Sequence, residues 1–309
     1  MSSLLHPDVA TRAPELARVF AQAKPFRHVV VEPFLQPEAL TALMGEFPAF
    51  AAERARNELG EVGRKAVVPG IRTIGPAYRA FDELLRSQSL LDLLGQITGI
   101  EKLLYDQDYV GGGTHENLHG QDLDLHIDFN YHPARGWHRR LNLILFLNEE
   151  WRPEWGGCLE LHRDPWHPDQ DEVAKVTPVA NRAVLFETTE RSWHGFPRIH
   201  LPADRQQVSR KSVAVYYYTA ERPAAETAAP HGTVYVPQPL PGRWQQPGHT
   251  LTAEDVWQLQ VLWERRNAQL RFLYERELEF SAALRAMRES ASFRLGRMLT
   301  WPLRVLRRR

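Results

Sequence analysis

Residues 124–130 read D-L-H-I-D-F-N, and this stretch decides the fold. Apolar residues alternate with polar ones, which is the period of a strand half-buried in a sheet. Successive side chains then alternate faces: His126 and Asp128 project to one side, and Leu125, Ile127 and Phe129 to the other. The surrounding sequence repeats short β-like runs at 103–110, 123–129, 141–147, 158–161, 183–186 and 213–218, separated by Gly, Pro, Asn and Asp clusters. Regularly spaced short strands of this kind point to a closed or double-sheet β architecture, a jelly roll.

The flanks differ in pattern. Residues 26–35 read as a strand ended by proline, and a helix follows in which Pro37 sits in the first turn and which Pro48 stops. Helical spacing recurs over 80–99, so a helical layer precedes the β region. Residues 221–250 are rich in proline and poor in large aliphatics, which reads as a linker or a strap lying over the core. Beyond it, Val256, Leu259, Trp263, Arg266, Leu270, Leu273, Glu277, Phe280, Leu284 and Met287 follow alternating steps of three and four. That heptad over 251–290 predicts a coiled coil or a long amphipathic helix, either self-associating or folded back on its own domain.

Composition bounds the function. The 309 residues carry 38 basic and 38 acidic side chains, so no global charge favours nucleic acid. The balance is local: residues 285–309 hold eight Arg against one Glu, about +7, leaving about −7 elsewhere. A single cysteine, Cys158, removes any disulfide framework or Cys-rich metal site and points to a reducing, cytoplasmic compartment. The first residues have neither a basic nor an apolar leader pattern, and no run of 18 apolar residues occurs.

Two ligand-type side chains on one face of a strand need a third from elsewhere. His194 follows a buried run, A-V-L-F-E, and a polar turn, with Gly195 giving room beside it; His200 is the alternative. Two histidines and one carboxylate occupy three sites of an octahedron and leave three open, as non-haem Fe(II) requires. Sixteen residues after His194, Arg210 opens another strand-like run, with Ser212 on the same face. A guanidinium there can pair bidentately with the far carboxylate of a dicarboxylic acid.

The runs L-H-I-D-F-N-Y-H (125–132), R-R-L-N-L-I-L-F-L-N-E-E-W (139–151), W-G-G-C-L-E-L (155–161), V-L-F-E-T-T-E-R-S-W-H-G (184–195) and S-R-K-S-V-A-V-Y-Y-Y-T (209–219) together resemble the prolyl 4-hydroxylase-like branch of the 2-oxoglutarate/Fe(II)-dependent oxygenases. The resemblance spans roughly residues 26–219. It implies a double-stranded β-helix core (jelly-roll, cupin-like) over about 103–219, inside an oxygenase domain of residues 1–220. It implies Fe(II) on His126, Asp128 and His194, and 2-oxoglutarate on Arg210 and Ser212, with Tyr109 and Asn142 near the co-substrate. Phe146 stands where many relatives have a tyrosine that hydrogen-bonds 2-oxoglutarate. The loop between His194 and Arg210 is longer than in many relatives.

The implied activity is a dioxygenase consuming O2 and 2-oxoglutarate, with ascorbate as an optional accessory. It would hydroxylate a C–H bond of a prolyl or other peptide, amino-acid or glycan substrate and release succinate and CO2. Two other readings stand beside it: a non-catalytic cupin-like metal protein, and a membrane-associated assembly module in surface-polysaccharide biosynthesis. The second is prompted by residues 291–309, which resemble the tails that follow coiled coils in bacterial surface-polysaccharide glycosyltransferases and methyltransferases. Apolar residues interleaved with arginine in that tail suit peripheral contact with the inner, anionic face of a membrane.

Overall fold

The computed structural model describes residues 4–50 and 66–306. It divides into two units, Met1–Pro237 and Gln238–Arg309.

In the first unit the helices are α1 (Pro7–Thr11), α2 (Ala13–Gln22), α3 (Pro37–Gly45), α4 (Pro76–Leu85) and α5 (Gln88–Thr98). The expected helical run over 80–99 is broken at Arg86 and Ser87. The Ser87 hydroxyl donates to Leu84 O, 2.7 Å, closing α4, and accepts from Leu90 N, capping α5. One side chain thus satisfies a terminal group of each helix.

Two antiparallel sheets follow. In chain order the strands are β1 (His28–Val31), β2 (Ala66–Val68), β3 (Leu104–Tyr105), β4 (Gly113–Asn117), β5 (Leu123–Ile127), β6 (His138–Phe146), β7 (Leu159–His162), β8 (Val173–Val176), β9 (Ala183–Glu187), β10 (Trp193–Phe196), β11 (Arg210–Thr219) and β12 (Val234–Tyr235). The larger sheet runs β1-β9-β6-β11-β4-β2, with β3 on β11, and the smaller runs β12-β5-β10-β7-β8. From β4 to β11 the chain passes between the two sheets at nearly every step, which is the double-stranded β-helix, or jelly roll.

The register divides the larger sheet into two faces. Leu141, Leu143, Leu145, Leu185, Val213, Val215 and Tyr217 lie on one and join the main core with the helices, among them Leu16, Phe20, Phe81, Leu85, Leu90 and Leu94. Asn142, Ile144, Phe146, Val184, Phe186, Ser212, Ala214 and Tyr216 lie on the other, facing the smaller sheet. This second face carries the chemistry.

β10 was not legible as a strand, because W-H-G-F reads as the end of a turn. It sits between β5 and β7. Glycine makes the approach possible: a Cβ on Gly195 would lie 2.6 Å from Leu123 O and 3.0 Å from Asp124 O. β4, G-T-H-E-N, was also missed; its polar residues are buried because β11 and β2 pair with it on both sides.

The first unit extends past the expected limit at Ala220. Residues 221–237 form a strap: Val234 and Tyr235 pair with β5, Ala229 O accepts from Asn130 Nδ2 at 2.8 Å, and His231 N donates to Asn130 Oδ1 at 3.0 Å. Proline-rich composition alone could not separate a strap pinned by such bonds from a free linker.

In the second unit, α6 (Ala253–Glu289) covers the heptad as one helix of 37 residues. Thr252 and Asp255 close its N-terminus as a reciprocal capping box. α7 (Ala291–Leu306) follows at once. The last three arginines of the expected basic tail lie outside the described residues.

Candidate metal and co-substrate site

His126 on β5 and His194 on β10 are cross-strand partners. Nδ1 of His126 donates to Asp124 O at 2.8 Å, and Nδ1 of His194 donates to Ser192 O at 3.0 Å. A carbonyl only accepts, so each proton sits on Nδ1 and each Nε2 presents a lone pair. Both lone pairs converge on Asp128, whose Oδ1 is 3.7 Å from His126 Nε2 and whose Oδ2 is 3.5 Å from His194 Nε2. One ligand atom from each of the three residues lies within 4.8 Å of the other two. This arrangement of two imidazole nitrogens and a carboxylate on one side of a cavity fits a facial triad.

Burial opposes ionisation of Asp128, but the Arg139 guanidinium, the two histidines and the Asn142 amide outweigh it and hold the carboxyl below its usual range. Arg139 Nη2 is 3.0 Å from Asp128 Oδ2, and Asn142 Nδ2 donates to the same oxygen at 2.8 Å. Arg139 Nε in turn donates to Asn142 Oδ1 at 3.1 Å, and its guanidinium lies 3.5 Å from the Tyr216 ring centroid. Burial, with the neighbouring His126, pulls His194 down to about 4, keeping it neutral and able to ligate.

Arg210 opens β11 on the face that also carries Ser212. It is 4% exposed, its Nε donates to Gly157 O at 2.7 Å, and its guanidinium lies between Phe196 at 4.1 Å and Phe146 at 5.1 Å. Among the described residues no carboxylate pairs with it. Burial lowers its pKa to about 9, so it remains a cation at neutral pH. Ser212 is buried beside Phe146 in the register. A buried unpaired cation is costly, and an anion held there removes that cost.

His126, Asp128 and His194 converge, Arg210 and Ser212 share the inner face of the larger sheet with Asn142, and Tyr109 lies elsewhere. Tyr109 lies in the core between the larger sheet and the helices. Its hydroxyl donates to Asp82 Oδ1 at 2.8 Å, beside the Tyr105 hydroxyl, while Arg72 holds the other carboxylate oxygen. Resemblance of the Y-V-G-G-G turn placed it at the co-substrate; the left-handed backbone at Tyr109 (φ 51°) instead accompanies a side chain on the helix side. Asn142 faces the site, where its amide donates to Asp128 and accepts from Arg139. His200 is exposed and stacks edge-on with His119, ring centroids 6.4 Å apart, apart from the triad.

Sequence reasoning missed Arg139, whose place beside Asp128 depends on a shift in the β6–β11 register, where Arg140 is the extra residue opposite the Tyr217–Tyr218 step. It also missed Tyr235, which pairs with His126 across β12 and β5, ring centroids 5.2 Å apart. Trp151 and Trp155 pack with Phe196 and Ile199, and Trp193 with Ile127 and Val236, as packing residues. Cys158 is a buried free thiol.

Fold and site together define a double-stranded β-helix with a His-Asp-His centre. Residues 113–218 match the family model of the 2OG-Fe(II) oxygenase superfamily, a family named for Fe(II) and 2-oxoglutarate. The solved structures similar to it include a prolyl hydroxylase from Trichoplax adhaerens in complex with a hypoxia-inducible-factor peptide fragment (15% identity, 71% of this chain and 96% of that one, TM-score 0.46). A Pseudomonas putida prolyl-4-hydroxylase is also similar (19% identity, 67% and 100%, TM-score 0.42). So is HygX from Streptomyces hygroscopicus with nickel, 2-oxoglutarate and hygromycin B bound (13% identity, 71% and 95%, TM-score 0.45). No curated protein matches the chain.

Proposed function

We propose that the first unit is a 2-oxoglutarate-dependent dioxygenase that holds Fe(II) on His126, Asp128 and His194 and hydroxylates a C–H bond of its substrate, releasing succinate and CO2. One observation carries the reading: a convergent His-Asp-His set shares an inner face with a buried arginine that, among the described residues, has no carboxylate partner. When bound, the iron supplies oxygen activation coupled to decarboxylation of 2-oxoglutarate. Arg210 and Ser212 take the 5-carboxylate, a guanidinium supplying the fork and a hydroxyl the third donor. Asn142 and Arg139 keep Asp128 ionised and fix its rotamer. Phe146 and Phe196 wall the guanidinium from water, which strengthens its pull on an anion. The strap, through Tyr235, covers His126 from the β12 side and restricts what reaches the iron from there.

A non-catalytic metal protein would need the triad but not Arg210. The test is a titration of 2-oxoglutarate into Fe(II)-loaded protein without oxygen, followed by succinate measurement with oxygen. Saturable binding and succinate release, both lost in His126→Ala, are expected; metal uptake without 2-oxoglutarate binding favours the other reading.

A second reading concerns the C-terminal unit. Leu295, Met298 and Leu299 on α7 are exposed, at 57%, 70% and 72%. Beside Arg294 and the arginines that follow, they favour docking of the chain on an anionic membrane surface. No helix among the described residues is long and apolar enough to cross a membrane.

A further inference from the structure

We infer that α6 is an antiparallel homodimerisation helix, its occupant being a second copy of the same helix in one fixed register. This rests on the second unit alone and is independent of the oxygenase reading. Among the described residues the heptad seam is exposed: Trp263, Leu270, Leu273, Phe280 and Met287 are 65%, 57%, 62%, 61% and 51% exposed. An apolar stripe with alternating steps of three and four along a 37-residue helix suits a partner helix lying along it.

The charges within the seam choose the partner and its direction. Only Arg266 and Glu277 interrupt the stripe; both are exposed, and neither makes an ion pair within the chain among the described residues. In a parallel, in-register pair Arg266 would face Arg266 and Glu277 would face Glu277, two like-charge contacts in an apolar seam. Reversing one helix about a point between Arg271 and Phe272 places Arg266 opposite Glu277 of the second copy, twice by symmetry. The same register pairs Leu270 with Leu273, Trp263 with Phe280, Leu259 with Leu284 and Val256 with Met287 of the second copy. Every apolar seam residue then meets an apolar one, and each large ring meets a ring. The pattern is self-complementary under a two-fold axis, as an isologous dimer requires.

The test uses the full chain, with mass measured by sedimentation over a concentration series. Wild type is expected to dimerise. Arg266→Glu alone, or Glu277→Arg alone, puts two like-charge pairs in the seam and raises the dimer Kd on the order of 100-fold. The double variant Arg266→Glu/Glu277→Arg restores the dimer. These positions are exposed, and circular dichroism of each variant checks that the helix persists. Independently, Leu259→Cys mixed with Leu284→Cys should form a mixed disulfide under oxidation, while Leu259→Cys alone should not bridge to itself. A wild-type monomer throughout, charge swaps without effect, or self-bridging at position 259 would each overturn the inference.

Discussion

His126 and His194 stand opposite each other across the β5–β10 ladder, ring centroids 4.3 Å apart, and Nδ1 of each is bound by the backbone carbonyl two residues before it. Backbone geometry, rather than a side-chain partner, therefore sets the ligating tautomer of both rings. Replacing His194 with Ala should abolish Fe(II)-dependent succinate formation, whereas His200→Ala should leave it near wild type. If the His200 variant were the inactive one, the third ligand would be misassigned.

Asn142 supports the centre without belonging to it, through the 2.8 Å bond to Asp128 Oδ2. Asn142→Ala should weaken Fe(II) affinity about 10- to 100-fold while the protein stays folded. Calorimetric metal titration reads this directly; an unchanged affinity would mean that Arg139 alone orients the carboxylate.

With the 5-carboxylate of 2-oxoglutarate on Arg210, as proposed, Arg210→Lys should raise the KM for 2-oxoglutarate about 30- to 150-fold, in line with about 2–3 kcal/mol for a buried charge-assisted pair. Ser212→Ala should cost about 1 kcal/mol, several-fold in KM. Steady-state kinetics in 2-oxoglutarate distinguish them, and equal KM values in all three proteins would move the co-substrate elsewhere.

Tyr109→Phe tests the correction made by the fold. Its hydroxyl serves Asp82 under the helices, so the variant should lose roughly 1–3 kcal/mol of stability with no change in the KM for 2-oxoglutarate. Thermal unfolding beside kinetics gives both readouts.

His162, on β7, lies between Glu160 at 3.3 Å and Asp171 at 2.6 Å. Burial lowers its pKa, but the two carboxylates outweigh that and raise it above 6.5. A raised folded pKa means that the stabilisation is fully present below the unfolded value and lost as pH rises through the folded one. Glu160 is shifted the other way: burial raises it, His162 and Lys175 lower it further, and its share is lost as pH falls below the carboxylate range. His162→Gln should therefore lower Tm most near about pH 6 and least near about pH 9. A deficit that grows with pH would contradict the sign.

The C-terminal helix makes a separate prediction. The full chain should sediment with vesicles containing anionic lipid, and a chain ending at Ser290 should not. Equal sedimentation of both would place membrane contact elsewhere or nowhere.

Residue order alone determined which candidate side chains share a strand face. The alternation in D-L-H-I-D-F-N puts His126 and Asp128 on one side of a strand, because side chains in a strand repeat every second residue. The same period joins Arg210 to Ser212, and the heptad foretold a long α6. Tertiary structure decided the rest, since contacts between distant segments carry no local period. It made β10 a strand by letting Gly195 press against β5, set His194 rather than His200 opposite His126, and brought Arg139 to Asp128 through a shift in the β6–β11 register. It turned Tyr109 away to Asp82 and pinned the strap over His126 through Asn130 and Tyr235. Which ligands share a strand face is a matter of local geometry; which strands meet is settled only when the two sheets close on each other.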